Sequence, residues 1–157
     1  MDRELLREVR DRWLSTESRV LSTTSLAVAG YPFGSVVPYV TTSDGQPVIY
    51  VSSLAQHTKN LSADPRCCLT AVEATADAQA GWRISLLGDA AQVAPSEQSA
   101  IATQYYARFP ASRRYANTHD FAFYAITPRR LRYIAGFGKI HWIEADAWQR
   151  SQLASPG

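Results

Sequence analysis

The sequence has 157 residues, of which 46% are hydrophobic and 19% are charged, and this composition fits one globular domain with its own core. The 16 lysine and arginine residues nearly balance the 14 aspartate and glutamate residues, which argues against a dedicated nucleic-acid binder. No apolar run approaches the ~20 residues of a membrane span, and the charged start is unlike a signal peptide, so we expect a cytoplasmic protein without a membrane partner.

The first predicted element is an amphipathic helix within residues 1–18. Its apolar residues recur at three- and four-residue intervals between charged residues, and they are Leu5, Leu6, Val9 and Trp13. A run of small and apolar residues over 24–29 then predicts a first strand, which ends at Gly30.

A second strand is predicted over residues 34–42. Pro38 lacks an amide hydrogen, so it must lie at an edge, a bulge or a break in pairing. Residues 43–45 read Ser-Asp-Gly, and Asp-Gly tolerates the positive φ angles of a tight hairpin turn. A third strand over 48–52 therefore follows in antiparallel pairing.

A short helix is predicted after the third strand, with Ser53 as its N-cap. Its inward-facing residues are expected to be Leu54, Thr58 and Leu61. Asp-Pro at 64–65 ends this helix before a fourth strand over residues 67–72. That strand begins with adjacent cysteines that are poorly placed to pair with each other, which fits a reducing compartment.

A long strand over 83–93 contains Gly88, which indicates a bulge or bend. A second amphipathic helix, capped by Ser96, follows and ends near Pro110. The remaining predicted elements are strands over 121–126, 131–135 and 136–143 and a helix over 146–153. So many strands with only short helices between them predict a mainly β (α+β) domain, a small barrel or sandwich with antiparallel pairing.

The richest polar segment is residues 52–61. Helix spacing places Ser53, His57 and Asn60 on one flank of the predicted helix, and the unpaired amides of a helix start favour an anion. The segment therefore predicts a phosphate site. A capped helix with an ordinary polar face is the alternative.

Several segments occur in the order and spacing of a known family, namely Tyr31–Tyr39, Ser53–Leu61, Asp64–Arg66, Arg83–Gly88 and Gly136–Trp142. Over residues 18–148 the chain resembles the pyridoxamine 5′-phosphate oxidase-like FMN-binding split barrels, in the branch related to haem-utilisation proteins. The resemblance implies a six-stranded antiparallel split β-barrel with flanking short helices. It also implies a homodimer with FMN in two clefts at the subunit interface.

The resemblance also implies a set of cofactor-binding residues. The backbone of the second strand would contact the flavin ring, at Gly34, Ser35, Val36, Val37 and Pro38. The flavin would be bordered by Ser52 and Ser53, and its phosphate would be surrounded by His57, Thr58 and Asn60, with Lys59 adding positive potential. Across the interface, the cofactor or its substrate would be reached by Arg83 and Lys139.

The function implied is an FMN-dependent oxidoreductase acting on an unidentified small molecule, with the chemistry supplied by the flavin. Arg83 would stabilise negative charge on the reduced ring or the substrate, or else form a structural ion pair. One alternative is a haem-binding or haem-degrading protein, in which His57, Arg83 and Lys139 contact the haem propionates. Another alternative is a non-enzymatic flavin-binding module, or an empty barrel that binds other proteins.

Overall fold

The computed structural model describes residues 2–16, 18–136 and 138–153. In these ranges the helices are α1 (Arg3–Ser15), α2 (Gln56–Ala63), α3 (Pro95–Arg108) and α4 (Ala145–Leu153), and a 3₁₀ helix spans Pro110–Asn117. The strands are β1 (Ser18–Thr24), β2 (Pro32–Pro38), β3 (Val40–Thr41), β4 (Pro47–Ser52), β5 (Arg66–Val72), β6 (Arg83–Gln92), β7 (Phe121–Ala135) and β8 (Lys139–Glu144). None of the helices in these ranges is long and apolar enough to cross a bilayer.

The strands form one curved antiparallel sheet in the order β2-β1-β5-β6-β7-β4-β3, and β8 also pairs with β7. The predicted fold class, a mainly β split barrel with flanking helices, is confirmed. The described strands number eight, because β3 and β8 extend the sheet beyond the six expected. The apolar interior of the curved sheet is closed by α1 and α4 through Val9, Trp13 and Trp148.

The predicted strand over 24–29 is wrong, since β1 ends at Thr24 and residues 25–31 form the loop of a β1–β2 hairpin. The loop is closed by the Ser25 amide, which donates to the Tyr31 carbonyl at 2.7 Å. The Leu26 amide donates to the Asn60 side chain at 3.0 Å. These backbone groups are committed to the loop and to α2, so an apolar run that resembles a strand cannot continue the sheet.

The predicted strand over 34–42 is interrupted at Tyr39, between β2 and β3. The Tyr39 hydroxyl donates to the Trp13 carbonyl and accepts from Arg19, whose guanidinium lies 4.2 Å from the Tyr39 ring centroid. Arg19 is only 2% exposed, and burial lowers its pKa to about 10. Tyr39 is therefore turned out of the ladder to pack on a buried cation.

The predicted hairpin turn and the predicted bulge are both confirmed. Gly45 adopts φ +87° between β3 and β4, and the β6–β7 register shifts at Gly88. A Cβ at Gly88 would lie 2.4 Å from the Thr127 carbonyl oxygen. Pro128 pairs opposite this bulge, so β7 runs on as one strand where separate strands over 121–126 and 131–135 were expected.

The helix starts also differ from expectation. Ala94 is the N-cap of α3, so the predicted cap at Ser96 is wrong, whereas the buried face around Tyr105 is as predicted. At the N-terminus, α1 occupies Arg3–Ser15 of the expected 1–18. The predicted strand over 136–143 begins at Lys139, and Phe137 lies outside the described residues.

Candidate functional site

The uncovered edge of β2 is one wall of the candidate site. β2 lies at the end of the sheet and pairs with β1 alone among the described strands, so the position of Pro38 at an edge is confirmed. Gly34, Val36 and Pro38 are exposed, whereas Ser35 is half-buried and Val37 belongs to the core. The free backbone groups of this edge have no strand partner to lose if a ligand approaches.

The turn between β4 and α2 forms the base of the site. The Ser52 hydroxyl accepts from the Leu54 amide at 3.1 Å and donates to the Asp120 carboxylate at 3.2 Å. The Ser53 amide donates to the Asp120 carbonyl at 2.6 Å. The sequence did not indicate Asp120 as a site residue, because it lies 68 residues from Ser52 and no local pattern marks that contact.

The turn delays the start of α2 by two residues, because the N-cap is at position 55 and the predicted cap was at position 53. Ala55 is the N-cap and supplies no side-chain hydrogen bond, so the prediction of Ser53 as cap is wrong. Leu54 is 73% exposed, and its predicted inward position is also wrong, whereas Thr58 and Leu61 are buried as expected. An uncapped helix start leaves its first amides without an acceptor from the chain.

Thr58 lies in this uncapped first turn. It is 4% exposed, and its hydroxyl is buried without a hydrogen-bond partner in the part of the chain that the structure describes. A buried hydroxyl without a partner is costly, and phosphate oxygens are strong acceptors. The first turn therefore fits a phosphate group, with the exposed Lys59 adding positive charge.

The Asn60 side chain forms hydrogen bonds with three other residues of the chain. It is completely buried, and its carbonyl oxygen accepts from the Leu26 amide at 3.0 Å and from Gln56 Nε2 at 3.1 Å. Its Nδ2 donates to the Thr23 hydroxyl at 3.0 Å. The side chain therefore ties α2 to the β1–β2 hairpin, and a cofactor contact by Asn60 would require these bonds to break.

His57 and Ser35 do come together, although 22 residues separate them in the chain. His57 Nδ1 lies 3.1 Å from the Ser35 hydroxyl, which joins α2 to the edge strand. The ring is half-buried, and burial lowers the pKa of His57. Burial therefore favours the neutral imidazole, and Nε2 is the nitrogen that does not contact Ser35.

Arg83 and Lys139 lie elsewhere in the sheet. Two strands, β1 and β5, separate β2 from the β6 strand that carries Arg83, a distance of roughly 14 Å across the sheet. Arg83 forms no ion pair with residues of the described ranges, whereas Lys139 Nζ lies 3.2 Å from Glu8 Oε1. Within one chain, the two cations therefore lie away from His57.

The convex side of the sheet carries a cross-strand row that we call the outer sheet face. From β2 to β8 the row consists of Val36, Val20, Thr70, Ser85, Arg132 and Trp142. The Trp142 ring is contacted by the guanidinium groups of Arg130 at 4.3 Å and Arg132 at 4.8 Å. Sequence analysis did not single out Trp142, and period-2 exposure along β8 is the signal that could have found it.

The sheet order and the flanking helices define the fold as a split β-barrel. The chain belongs to the CREG β-barrel family, whose model matches residues 7–150. It is 41% identical over 117 residues to the chloroplastic non-canonical heme oxygenase HOZ of Arabidopsis thaliana. The aligned residues make up 74% of this chain and 36% of HOZ. The chain thus spans little more than a third of that relative.

Two solved structures illustrate the similarity. A heme-binding protein from Mycobacterium smegmatis matches with a TM-score of 0.84 and 28% identity over 92% of this chain and 60% of that one. A pyridoxinephosphate oxidase family protein from Clostridium acetobutylicum matches with a TM-score of 0.70 and 15% identity over 93% and 98%, and this likeness is one of fold alone. The predicted resemblance is therefore confirmed at the level of fold and of haem-related relatives.

Proposed function

We propose that this protein binds haem in the cleft between the uncovered edge of β2 and the start of α2. The observation that carries the proposal is a group of exposed apolar side chains on the β1–β2 loop, on β2 and in the turn before α2, namely Leu26, Val28, Tyr31, Val36 and Leu54, of which Val36 is 71% exposed. An apolar patch of this kind marks a surface that a ligand or partner covers.

The chemistry of haem matches this surface. The porphyrin ring is broad and apolar, and two propionate carboxylates at one edge need cations or water. Lys59 is exposed on α2, one residue from the buried Thr58, and supplies a cation beside the apolar side chains. The alternative that the sequence offered, with haem in place of flavin, is therefore the one we put first.

A second copy of the chain completes the cleft in this proposal. The outer sheet face exposes Val20, Val36 and Trp142, and a homodimer would bury these side chains. Arg83 lies on the same side of the sheet, in register with Val72, and has no ion pair among the described residues. In a dimer, Arg83 and Lys139 of the second copy are the cations available to the propionates.

The names of two similar proteins support haem as a ligand. HOZ is by name a heme oxygenase, and the Mycobacterium smegmatis protein is by title heme-binding. Both are longer than this chain, so catalysis of haem degradation is not carried over from them. The proposal is limited to haem binding by this domain.

Titration of the purified protein with haemin tests the proposal. A Soret band that saturates at one haem per chain, together with a dimer mass in light scattering, is the expected result. The same titration is carried out with an unrelated protein of similar charge. If the Soret absorbance with this protein is no greater than with that control, the proposal is wrong. A matched variant, Val36→Asp, places a charge in the apolar patch and should weaken haem binding about tenfold or more.

FMN is the second candidate, and the buried Thr58 hydroxyl is the observation that favours it. A phosphate at the first turn of α2 would accept from that hydroxyl and from the uncapped amides. The flavin would supply redox chemistry when bound, while Ser52 and the β2 backbone orient its ring and the open face admits a small-molecule substrate.

Flavin binding is tested by adding FMN to the same preparation, since bound flavin has two visible absorption bands and haem has one dominant Soret band. Reduction of bound FMN by a nicotinamide cofactor would support an oxidoreductase, and retention without reduction would support the non-enzymatic flavin module. If haem binds and FMN does not, the FMN candidate fails.

Cell fractionation tests the predicted cytoplasmic location.

A further inference from the structure

The three histidines of this chain have different environments. His119 is exposed in the segment before β7, and His141 is half-buried on β8 at the far side of the sheet from β2. His57 is half-buried at the second residue of α2, beside the uncovered β2 edge. Within one chain, His57 is the histidine that adjoins the cleft in which the haem proposal places the ligand.

One nitrogen of the His57 ring already has a partner. Nδ1 lies 3.1 Å from the Ser35 hydroxyl, and a metal-ligating imidazole in proteins usually has its second nitrogen held in this way. The contact sets the orientation of the ring, and in the tautomer whose Nδ1 donates to Ser35, Nε2 has a free lone pair.

The helix that carries His57 is held firmly. Asn60 is completely buried and bonds to both the Leu26 amide and the Thr23 hydroxyl, and Leu61 packs into the core. A ligand placed on a helix anchored at the next turn keeps its position when a cofactor binds. The His57 ring is thus preorganised from two sides, by Ser35 and by α2.

We propose that His57 Nε2 is the protein ligand of the haem iron in this protein. The inference rests on the proposed haem function and gives His57 a different contact from the phosphate or propionate that the resemblance implied. Neutral imidazole is a common axial ligand of haem iron. Ser35 would act as a positioning residue, because its hydroxyl contacts the His57 ring.

Optical and electron paramagnetic resonance spectra of the haem complex, ferric and ferrous, test the proposal. His57→Ala should lose the signature of imidazole ligation and bind haem about ten- to a hundredfold more weakly. Added imidazole should restore the spectrum by occupying the vacated position, which a merely structural role would not produce. His57→Gln, of similar size, guards against loss of folding, which circular dichroism checks.

His119→Ala is the matched control and should leave the spectra unchanged. Ser35→Ala should keep imidazole ligation but shift the spectrum and weaken haem binding by less than His57→Ala does. Unchanged spectra in folded His57→Ala, or a loss that imidazole does not restore, overturns the ligand assignment while the haem proposal stands. Failure of the unmodified protein to bind haem overturns the proposed function itself.

Discussion

Thr58→Val most directly tests whether the buried Thr58 hydroxyl, in the first turn of α2, lacks a hydrogen-bond partner. The Thr58 hydroxyl is buried without a partner among the described residues, and valine replaces it with a methyl group of the same shape. An unsatisfied buried hydroxyl costs ~1–3 kcal/mol, so the variant should raise the free energy of unfolding of the ligand-free protein by about 1–2 kcal/mol. Urea denaturation measures this gain, and the melting temperature should rise by roughly 2–6 °C.

The same substitution should act in the opposite direction on FMN. A hydrogen bond to a charged phosphate is worth ~1.5–3 kcal/mol, so Thr58→Val should weaken FMN about tenfold or more. Riboflavin lacks the phosphate and should bind equally well to both proteins, as should haem. Flavin fluorescence titration measures the two flavin affinities.

Thr58→Ser is the matched control, because it keeps the hydroxyl and removes only the methyl group. It should retain most of the preference for FMN over riboflavin. A loss of stability in Thr58→Val would show that the hydroxyl has a partner, which refutes the reasoning from its burial. Equal losses of FMN and riboflavin affinity would place the phosphate elsewhere.

Three further predictions concern the bulge, the histidine and the dimer. Gly88→Ala puts a Cβ 2.4 Å from the Thr127 carbonyl and should lower the free energy of unfolding by about 3 kcal/mol in urea denaturation. His57 has a lowered pKa in the folded state, so the stability it contributes is present above about pH 6.5 and is lost as the pH falls through the folded-state pKa. His57→Gln should therefore flatten the pH dependence of unfolding below pH 7. Val20→Asp charges the outer sheet face and should convert a dimer to a monomer in light scattering.

Each of these three predictions has a control substitution at another position of the chain. A Cβ at Gly34 would meet only Val20 Cγ1 at 3.7 Å, so Gly34→Ala should cost far less than Gly88→Ala. His119→Gln, at an exposed position, should leave the pH profile as it is. Leu153→Asp, exposed on α4, should leave the mass unchanged. A monomeric unmodified protein, an unaltered pH profile in His57→Gln, or equal costs for the two glycine substitutions would contradict the respective prediction.

Local patterns in the sequence were enough to predict much of the fold. The apolar stripe through Val9 and Trp13 predicts α1, because helix spacing alone decides which side chains share a face. Asp44–Gly45 predicts the β3–β4 turn and Gly88 predicts the bulge, since both depend on the φ freedom or the missing Cβ of one residue. Pro38 indicates an edge because it lacks an amide hydrogen.

Other elements depended on contacts that no local pattern shows. The run over 24–29 has the composition of a strand, but Asn60 takes the Leu26 amide and the residues become a loop. Tyr39 leaves the ladder because a buried Arg19 binds its hydroxyl and ring. In both places a long-range side-chain contact outweighs a β propensity worth less than about 1 kcal/mol per residue.

The sequence by itself determined the residue types of the candidate site, that is, the hydroxyls, the histidine and the lysine around the β4–α2 turn. Only the tertiary structure decided how they are used: it pairs His57 with Ser35, buries Thr58 and Asn60, and places Arg83 three strands away. The physical reason is that burial and hydrogen-bond partners arise where distant strands and helices meet, and residue spacing along the chain carries no information about those meetings.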